Sequence, residues 1–419
     1  MSIKFRAFLL LSLLTLAGLA SAQKNTIVIS GNVSAAEDRQ PVPHANISIN
    51  GKGIATATNT AGRFALIIPE ENLGDTLKVS CIGFMTRYFP VSGLSDKQAL
   101  IISLTKNVTA LKEVNVIYYD AQKILQKAIA RIPGNYISHP HILRGFYRMY
   151  THRDSLPLQL SEAVFDVYNF GYGDQHADQF KLLKARSETN SRDFDMLKLG
   201  QKPNSVFEDD IINHRAASGF LSDKGIPNHQ FHVTDVVDFQ GYQAYEMEFK
   251  EKPGSEGATF RGKMYIDTRT FAFIYFDFGL SPSAISDWRS SNFIAHALVS
   301  AGDVTIGLKQ DSTGVLYQQV GKNWVLSHVQ GDHLLALNTS DGKAVLAAHV
   351  KFNYQVTAVD TVAKSSFNTK LGRGENINDY KGNDDPKFWK DYNILLSDYD
   401  AEGTFKKIQE INKGLSKPK

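Results

Sequence analysis

Apolar residues recur at every second position in short runs along most of this chain. Ile27, Ile29 and Val33 form one such run, Ile47 and Ile49 another, and Phe64, Leu66 and Ile68 a third. Period two, with turn residues between the runs, is the pattern of strands that bury one face. A chain written this way folds mainly as antiparallel sheet. Its single cysteine, Cys81, rules out an intramolecular disulfide, so burial and strand pairing alone must hold the sheets together. In Leu77-Lys-Val-Ser-Cys81 the thiol shares a strand face with Leu77 and Val79, and a packing role is expected in preference to a reactive one.

The first residues read as a targeting segment. Lys4 and Arg6 precede the apolar run from Ala7 to Leu19, and Ala20-Ser21-Ala22 supplies a small-residue cleavage site. Residues 1–22 are therefore expected to be a signal peptide removed on export, with no cysteine at the cleavage point to carry a lipid. No later stretch is long and apolar enough to predict a transmembrane helix in the mature chain. Of the formal net charge of +3, Lys4 and Arg6 supply two, so the mature chain lacks the clustered excess base of a nucleic-acid binder.

Residues 24–110 hold about seven short strands, the number for a small sandwich. Asn59-Thr-Ala-Gly62 is a turn whose glycine can take positive φ, after which Phe64 enters the core. Four motifs in order carry a family resemblance: Ile29-Ser-Gly-Asn-Val33, Pro43-His-Ala-Asn-Ile-Ser-Ile49, Thr58-Asn-Thr-Ala-Gly-Arg-Phe64 and Val79-Ser-Cys-Ile-Gly-Phe84. They resemble the carboxypeptidase regulatory-like domain of cell-envelope proteins of the Bacteroidetes type, which implies a transthyretin-like fold. Asn59 stands where that pattern usually has aspartate, and Phe84 where it has tyrosine. The resemblance brings no peptidase with it. None of the twelve histidines has glutamate at i+1 or i+3, so both H-x-x-E and H-E-x-x-H zinc patterns are missing.

Residues 111–138 are expected to be a linker and a bridging helix. Ala121, Ile124, Leu125, Ala128, Ile129 and Ile132 follow helical spacing, with Asp120 placed to cap and Pro133-Gly134 placed to end it. Residues 139–360 read as a large curved antiparallel sheet with a few helices. Hairpin signals occur at Phe239-Gln-Gly241, Asp267-Thr-Arg269, Gly321-Lys-Asn323 and Ser340-Asp-Gly342. The run Gly262 to Ile274 with Tyr317 to Trp324 is similar to the half-barrel of periplasmic lipoprotein carriers, which implies an apolar concave face. Phe271, Phe273, Tyr275, Phe276 and Phe278, with Trp324, are the candidate pocket residues on that reading. They put apolar side chains on both faces of one strand, which must then be covered on both sides. Helices packed over the sheet account for the same pattern and are the preferred reading. Residues 361–419 are expected to be a polar linker followed by a docking tail around Phe388-Trp389.

Signals for chemistry are few. Gly257 to Lys263 matches a phosphate-loop spacing, but Met264 replaces the hydroxyl residue and the run lies in strand sequence. Gly279-Leu-Ser281-Pro-Ser283 lacks the second glycine of a nucleophile elbow. Glu246 and Glu248 share a strand face, as an acid–base pair would, yet Lys250 continues that face and a salt-bridged surface is expected. His139 with His141, and His229 with His232, lack further ligands at metal spacing. Tyr172, between Gly171 and Gly173, reads as part of a flexible loop. No catalytic, cofactor-binding or metal residues are therefore assigned, and no cofactor is expected. The sequence points to a non-enzymatic protein, in the periplasm or on the periplasmic face of the outer membrane. It would bind or scaffold an envelope protein, glycan or lipid partner. A carrier of a hydrophobic ligand, or a hydrolase assembled from distant residues, are the alternatives.

Overall fold

The structure, a computed structural model, describes residues 26–94, 99–107, 119–174, 176–192, 207, 209–255, 259–286, 304–339, 344–363, 365–367, 385–390, 392 and 394–415. The targeting segment, Leu111 to Val116, the turn at 340–342 and most of 361–385 lie outside the described residues. Seven strands make the front unit: β1 (Thr26–Ala35), β2 (Asn46–Ile49), β3 (Ala55–Ala57), β4 (Arg63–Pro69), β5 (Thr76–Ser80), β6 (Arg87–Pro90) and β7 (Leu100–Leu104). They form two sheets, ordered β4-β1-β7 and β3-β2-β5-β6, with β7 parallel to β1. Ile29, Val33, Ile47, Ile49, Phe64, Leu66, Leu77 and Val79 fill the space between them. Cys81 sits just past β5, half-buried against this core, and burial pushes its thiol up to about 11. It is un-ionised near neutral pH, as a packing residue would be.

Helix α1 (Ala121–Asn135) follows, its first turn capped by Asp120, whose side chain accepts from the Lys123 amide at 3.1 Å. The helix runs through Pro133 instead of stopping there. A proline in the last turn forfeits one amide, and the turn still closes through Tyr136 N–H to the Ile132 carbonyl at 3.0 Å. Ile124, Leu125, Ala128 and Ile132 bury the apolar stripe in the main core.

Ten strands then build one open antiparallel sheet: β8 (His141–Arg153), β9 (Leu156–Asn169), β10 (Gln179–Thr189), β11 (His229–Phe239), β12 (Tyr242–Glu251), β13 (Phe260–Asp267), β14 (Phe273–Leu280), β15 (Val304–Val320), β16 (Asn323–Thr339) and β17 (Ala344–Asp360). The order is β10-β9-β8-β17-β16-β15-β14-β13-β12-β11, so among the described residues the edge strands β10 and β11 gain no further partner and no barrel closes. The short helix α2 (Pro282–Ser286) follows β14, and α3 (Pro386–Lys390) and α4 (Ala401–Leu415) belong to the C-terminal tail.

The two faces of this sheet are covered differently. One, the inner face, carries Tyr147, Phe165, Phe276, Val329 and Phe352 in a continuous core with α1 and with Phe207, Ile211, Phe220 and Leu221. The other, outer face is covered in parts. The tail crosses β8 to β10, where Trp389 and Leu395 pack on Phe146 and Val164, and Phe405 and Ile408 pack on Leu160. The front sandwich covers the middle. Asn46, Ser48, Lys78 and Ser80 alternate with its core residues on β2 and β5, yet all four are buried, because their face lies against the large sheet. A Cβ on Gly53 would fall 2.3 Å from a Val359 methyl, so only glycine permits this approach.

Candidate functional site

Direct cross-strand partners point to the same side of a sheet, so the register identifies which distant residues form a row. One row crosses all ten strands of the outer face: His232, Glu248, Lys263, Asp277, Gly314, Gln330, Asn353, Arg148, Glu162 and Arg186. Every member is polar or glycine. At the β10 end the fully buried Glu162 accepts from Arg148 Nε at 2.6 Å and from Arg186 Nε at 2.7 Å. The tail completes this end. Arg148 donates to the Leu395 carbonyl at 2.8 Å, and Arg186 reaches Glu402 at 2.6 Å while stacking over the Trp389 and Phe405 rings.

In the middle, the sandwich and the tail meet. The Asn59 side-chain oxygen accepts from the amides of Ala61 (3.1 Å) and Arg63 (2.9 Å), holding the turn. Its amide nitrogen donates to the Ser397 carbonyl at 3.1 Å, and Thr60 donates both its amide and its hydroxyl to Asp398. A carboxylate could do the first job but not the second. Nearby, the buried Lys78 ammonium lies 4.5 Å from the Tyr242 ring centroid, and burial lowers its pKa to about 8 against the pull of Asp238.

Toward β11 the outer face opens. A cavity of about 920 Å³ lies there over a dense set of polar side chains from β11 to β15. Phe231, Phe249 and Phe278 also border it, but strand alternation turns their rings to the inner face, where Phe249 and Phe278 pack on Phe220. Lys263 pairs with Glu246 at 2.8 Å and with Glu248 at 3.2 Å. The two glutamates therefore share the lysine of the neighbouring strand, where the sequence suggested Lys250. Burial opposes the charge on Glu246, but hydrogen bonds from Lys263, Tyr265 and Thr234 hold its pKa below the usual range. Asp277 goes the other way, because burial outweighs the attraction of Lys263.

The six aromatic candidates do not line one pocket. Phe273 and Phe276 stack on each other at 5.3 Å in the inner core, where the Tyr136 hydroxyl also holds the Phe273 carbonyl. Tyr275 faces the opposite side, beside Phe239 and Tyr265, so β14 is covered on both faces. Phe271 sits in the hairpin turn under Lys127, and Trp324 packs on Tyr242. Phe278, the one of the six that borders the open cavity, packs its ring on Phe220 in the inner core.

Several local signals resolve into structural roles. Ser281 is buried and accepts from the Ala284 amide, and its hydroxyl also bonds those of Thr259 and Ser283. His229 is buried between the Gly225 carbonyl and the Phe260 amide. Tyr172 is no flexible loop residue. It is buried, donates to Asp210 at 3.1 Å and accepts from the Leu326 amide at 2.8 Å. Tyr317 donates to the same Asp210 at 2.7 Å, and burial raises this carboxyl to about 6. No group of three metal-ligating side chains occurs among the described residues.

The fold and site thus define a two-unit β protein, a small sandwich docked on an open ten-stranded sheet. Residues 29–116 match the family model of the CarboxypepD_reg-like domain, so the front sandwich is a domain of that kind. No curated protein matches the chain. Solved structures with some similarity include a DUF1329 family protein from Desulfovibrio piger (8% identity, 59% of this chain and 95% of that one, TM-score 0.24). A putative outer membrane lipoprotein-sorting protein domain from Vibrio parahaemolyticus gives 12% identity, 59% and 96% coverage and a TM-score of 0.25. A LolA superfamily protein from Nitrosomonas europaea gives 9%, 58% and 94%, and 0.21. TM-scores of this size do not establish a shared fold. No described helix is long and apolar enough to cross a membrane.

Proposed function

We propose that this is a non-catalytic binding protein of the cell envelope whose ligand seat is the cavity bordered by β11 to β15. The observation that carries the reading is the uneven cover of the outer face. Tail and sandwich cover the first two thirds of the sheet, while the last third presents an open concavity over polar side chains from β11 to β15. The absence of a zinc pattern beside the regulatory-like domain supports a binding role, as does the engagement of the best acid–base candidates. Glu246 and Glu248 are tied to Lys263, and Ser281 to a helix start. The apparent targeting segment supports an exported location.

Hydrogen exchange of the full-length mature protein tests the reading. Adding the low-molecular-weight fraction of an envelope extract should slow exchange in β11 to β13. The Gln310→Trp variant, which fills the cavity from its rim, should lose that protection. Unchanged exchange in the wild type, or equal protection in both proteins, would overturn the proposal.

A further inference from the structure

Two adjacent rows on the open end of the outer face differ in how their charges are matched. In the row His232, Glu248, Lys263, Asp277, basic and acidic positions alternate from strand to strand. In the next, Gln230 lies opposite Lys250 and Arg261 lies opposite Gly279, and the register pairing Phe249 with Gly262 brings Lys250 opposite Arg261 one step further on. Like charges directly opposite on a sheet repel. Both cations are exposed, and neither makes an ion pair with any described residue. Lys309, on the same cavity wall, makes none either. The row then ends in a position that must stay bare, since a Cβ on Gly279 would meet the Asp311 carbonyl at 2.1 Å. The result is a cationic strip along a cavity far larger than one inorganic anion needs, with Glu248, Asp277 and Asp311 on the remainder of its lining.

Around that strip, Gln230, Gln310 and Ser312 offer amide and hydroxyl groups. We infer that the cavity takes an acidic saccharide, its carboxylate or phosphate seated between Lys250 and Arg261 and its hydroxylated body against the amides. The sugar can be free or the headgroup of a glycolipid. This inference rests on the binding role proposed above and adds the ligand class.

The test is titration calorimetry of the full-length mature protein with trigalacturonate, maltotriose and vesicles of phosphatidylcholine containing a glucuronosyl diacylglycerol. Trigalacturonate should bind saturably and weaken as salt is added. In the double variant Lys250→Gln/Arg261→Gln its affinity should fall by about tenfold or more, the loss of at least one charge-assisted contact. Both positions are exposed, so an unchanged melting curve checks that the variant folds. Binding of the vesicles alone, lost in the double variant, also supports the inference and identifies the sugar as lipid-borne. Equal affinity for maltotriose, or an unaltered affinity in the double variant, overturns it. If no probe binds while the envelope extract still protects β11 to β13, the ligand class is wrong and the binding role stands. If the extract gives no protection either, both fall.

Discussion

Replacing Asn59 with aspartate tests whether the tail holds the sandwich in place. The new side chain keeps the acceptor that fixes the turn, since Ala61 and Arg63 still have a carboxylate oxygen to donate to. It loses the donor to the Ser397 carbonyl. In its place an oxygen faces that carbonyl at about the former 3.1 Å, beside the Asp398 carboxylate that Thr60 already holds. Asn59 is only 5% exposed, so water does little to relieve the clash. A lost hydrogen bond with an unsatisfied buried acceptor costs about 2 kcal/mol. Through the tenfold change that accompanies each ~1.4 kcal/mol, this is roughly a thirtyfold gain in local opening. Hydrogen exchange of the amides in 394–400 should rise by that factor at neutral pH, while the inner strands of the sandwich stay protected. Lowering the pH far enough to protonate the new carboxyl gives it back a donor, and protection should recover. Exchange in Asn59→Asp that matches wild type at neutral pH would refute the argument. So would a loss of protection that low pH leaves untouched.

Two buried ionisable groups give pH signatures of opposite sign. Lys78 titrates near 8 when folded, below the usual lysine value, so the folded state binds fewer protons than the unfolded one between about pH 8 and 10.5. Wild-type stability measured by urea unfolding should rise across that interval by up to ~3 kcal/mol, and Lys78→Met should be flat there and more stable than wild type at pH 7. Asp210 titrates near 6 instead of about 4, so the folded state binds more protons in that interval. Stability from this group is fully present below about pH 4 and is lost as pH rises through 6, and Asp210→Asn should remove that decline of ~3 kcal/mol. Glu162→Gln leaves Arg148 and Arg186 without their shared carboxylate and should cost about 3–5 kcal/mol in the same assay, with the C-terminal tail losing exchange protection first.

Local pattern carried much of this fold into the sequence. Alternation placed the front strands and the core faces of β2 and β5, helical spacing placed α1, and the aromatic run at 388–389 marked the docking tail. What local pattern cannot report is which strand lies beside which. The pairing of Glu246 and Glu248 with Lys263 instead of Lys250 is a cross-strand choice, invisible along β12 alone. Tyr172 between two glycines had the composition of a loop, and only tertiary contact with Asp210 and Leu326 makes it a core residue. The Asn59 departure was visible, but its partner Ser397 lies at the far end of the chain. The aromatic strand β14 was legible as a strand with two apolar faces. Its two covers, α1 with the 207–221 segment on one side and the sandwich with its neighbours on the other, come from separate parts of the chain.

The polar row across the ten strands ties the covered and open parts of the sheet to one rule. A charge held on a sheet face needs an opposite partner across the strand, above it, or in solvent. At the β10 end the rule is met from above as well as across: Glu162 sits between two arginines, and Glu402 and the Leu395 carbonyl descend from the tail. Under the sandwich the row drops its charges altogether, becoming Gly314, Gln330 and Asn353. At the open end His232, Glu248, Lys263 and Asp277 again satisfy it across the strands. Lys250 and Arg261, one row over, do not, and neither makes an ion pair with any described residue. The β10 end shows what this sheet does with paired arginines: it supplies an anion between them. A cavity at the same position over Lys250 and Arg261 leaves room for that anion to arrive with a ligand.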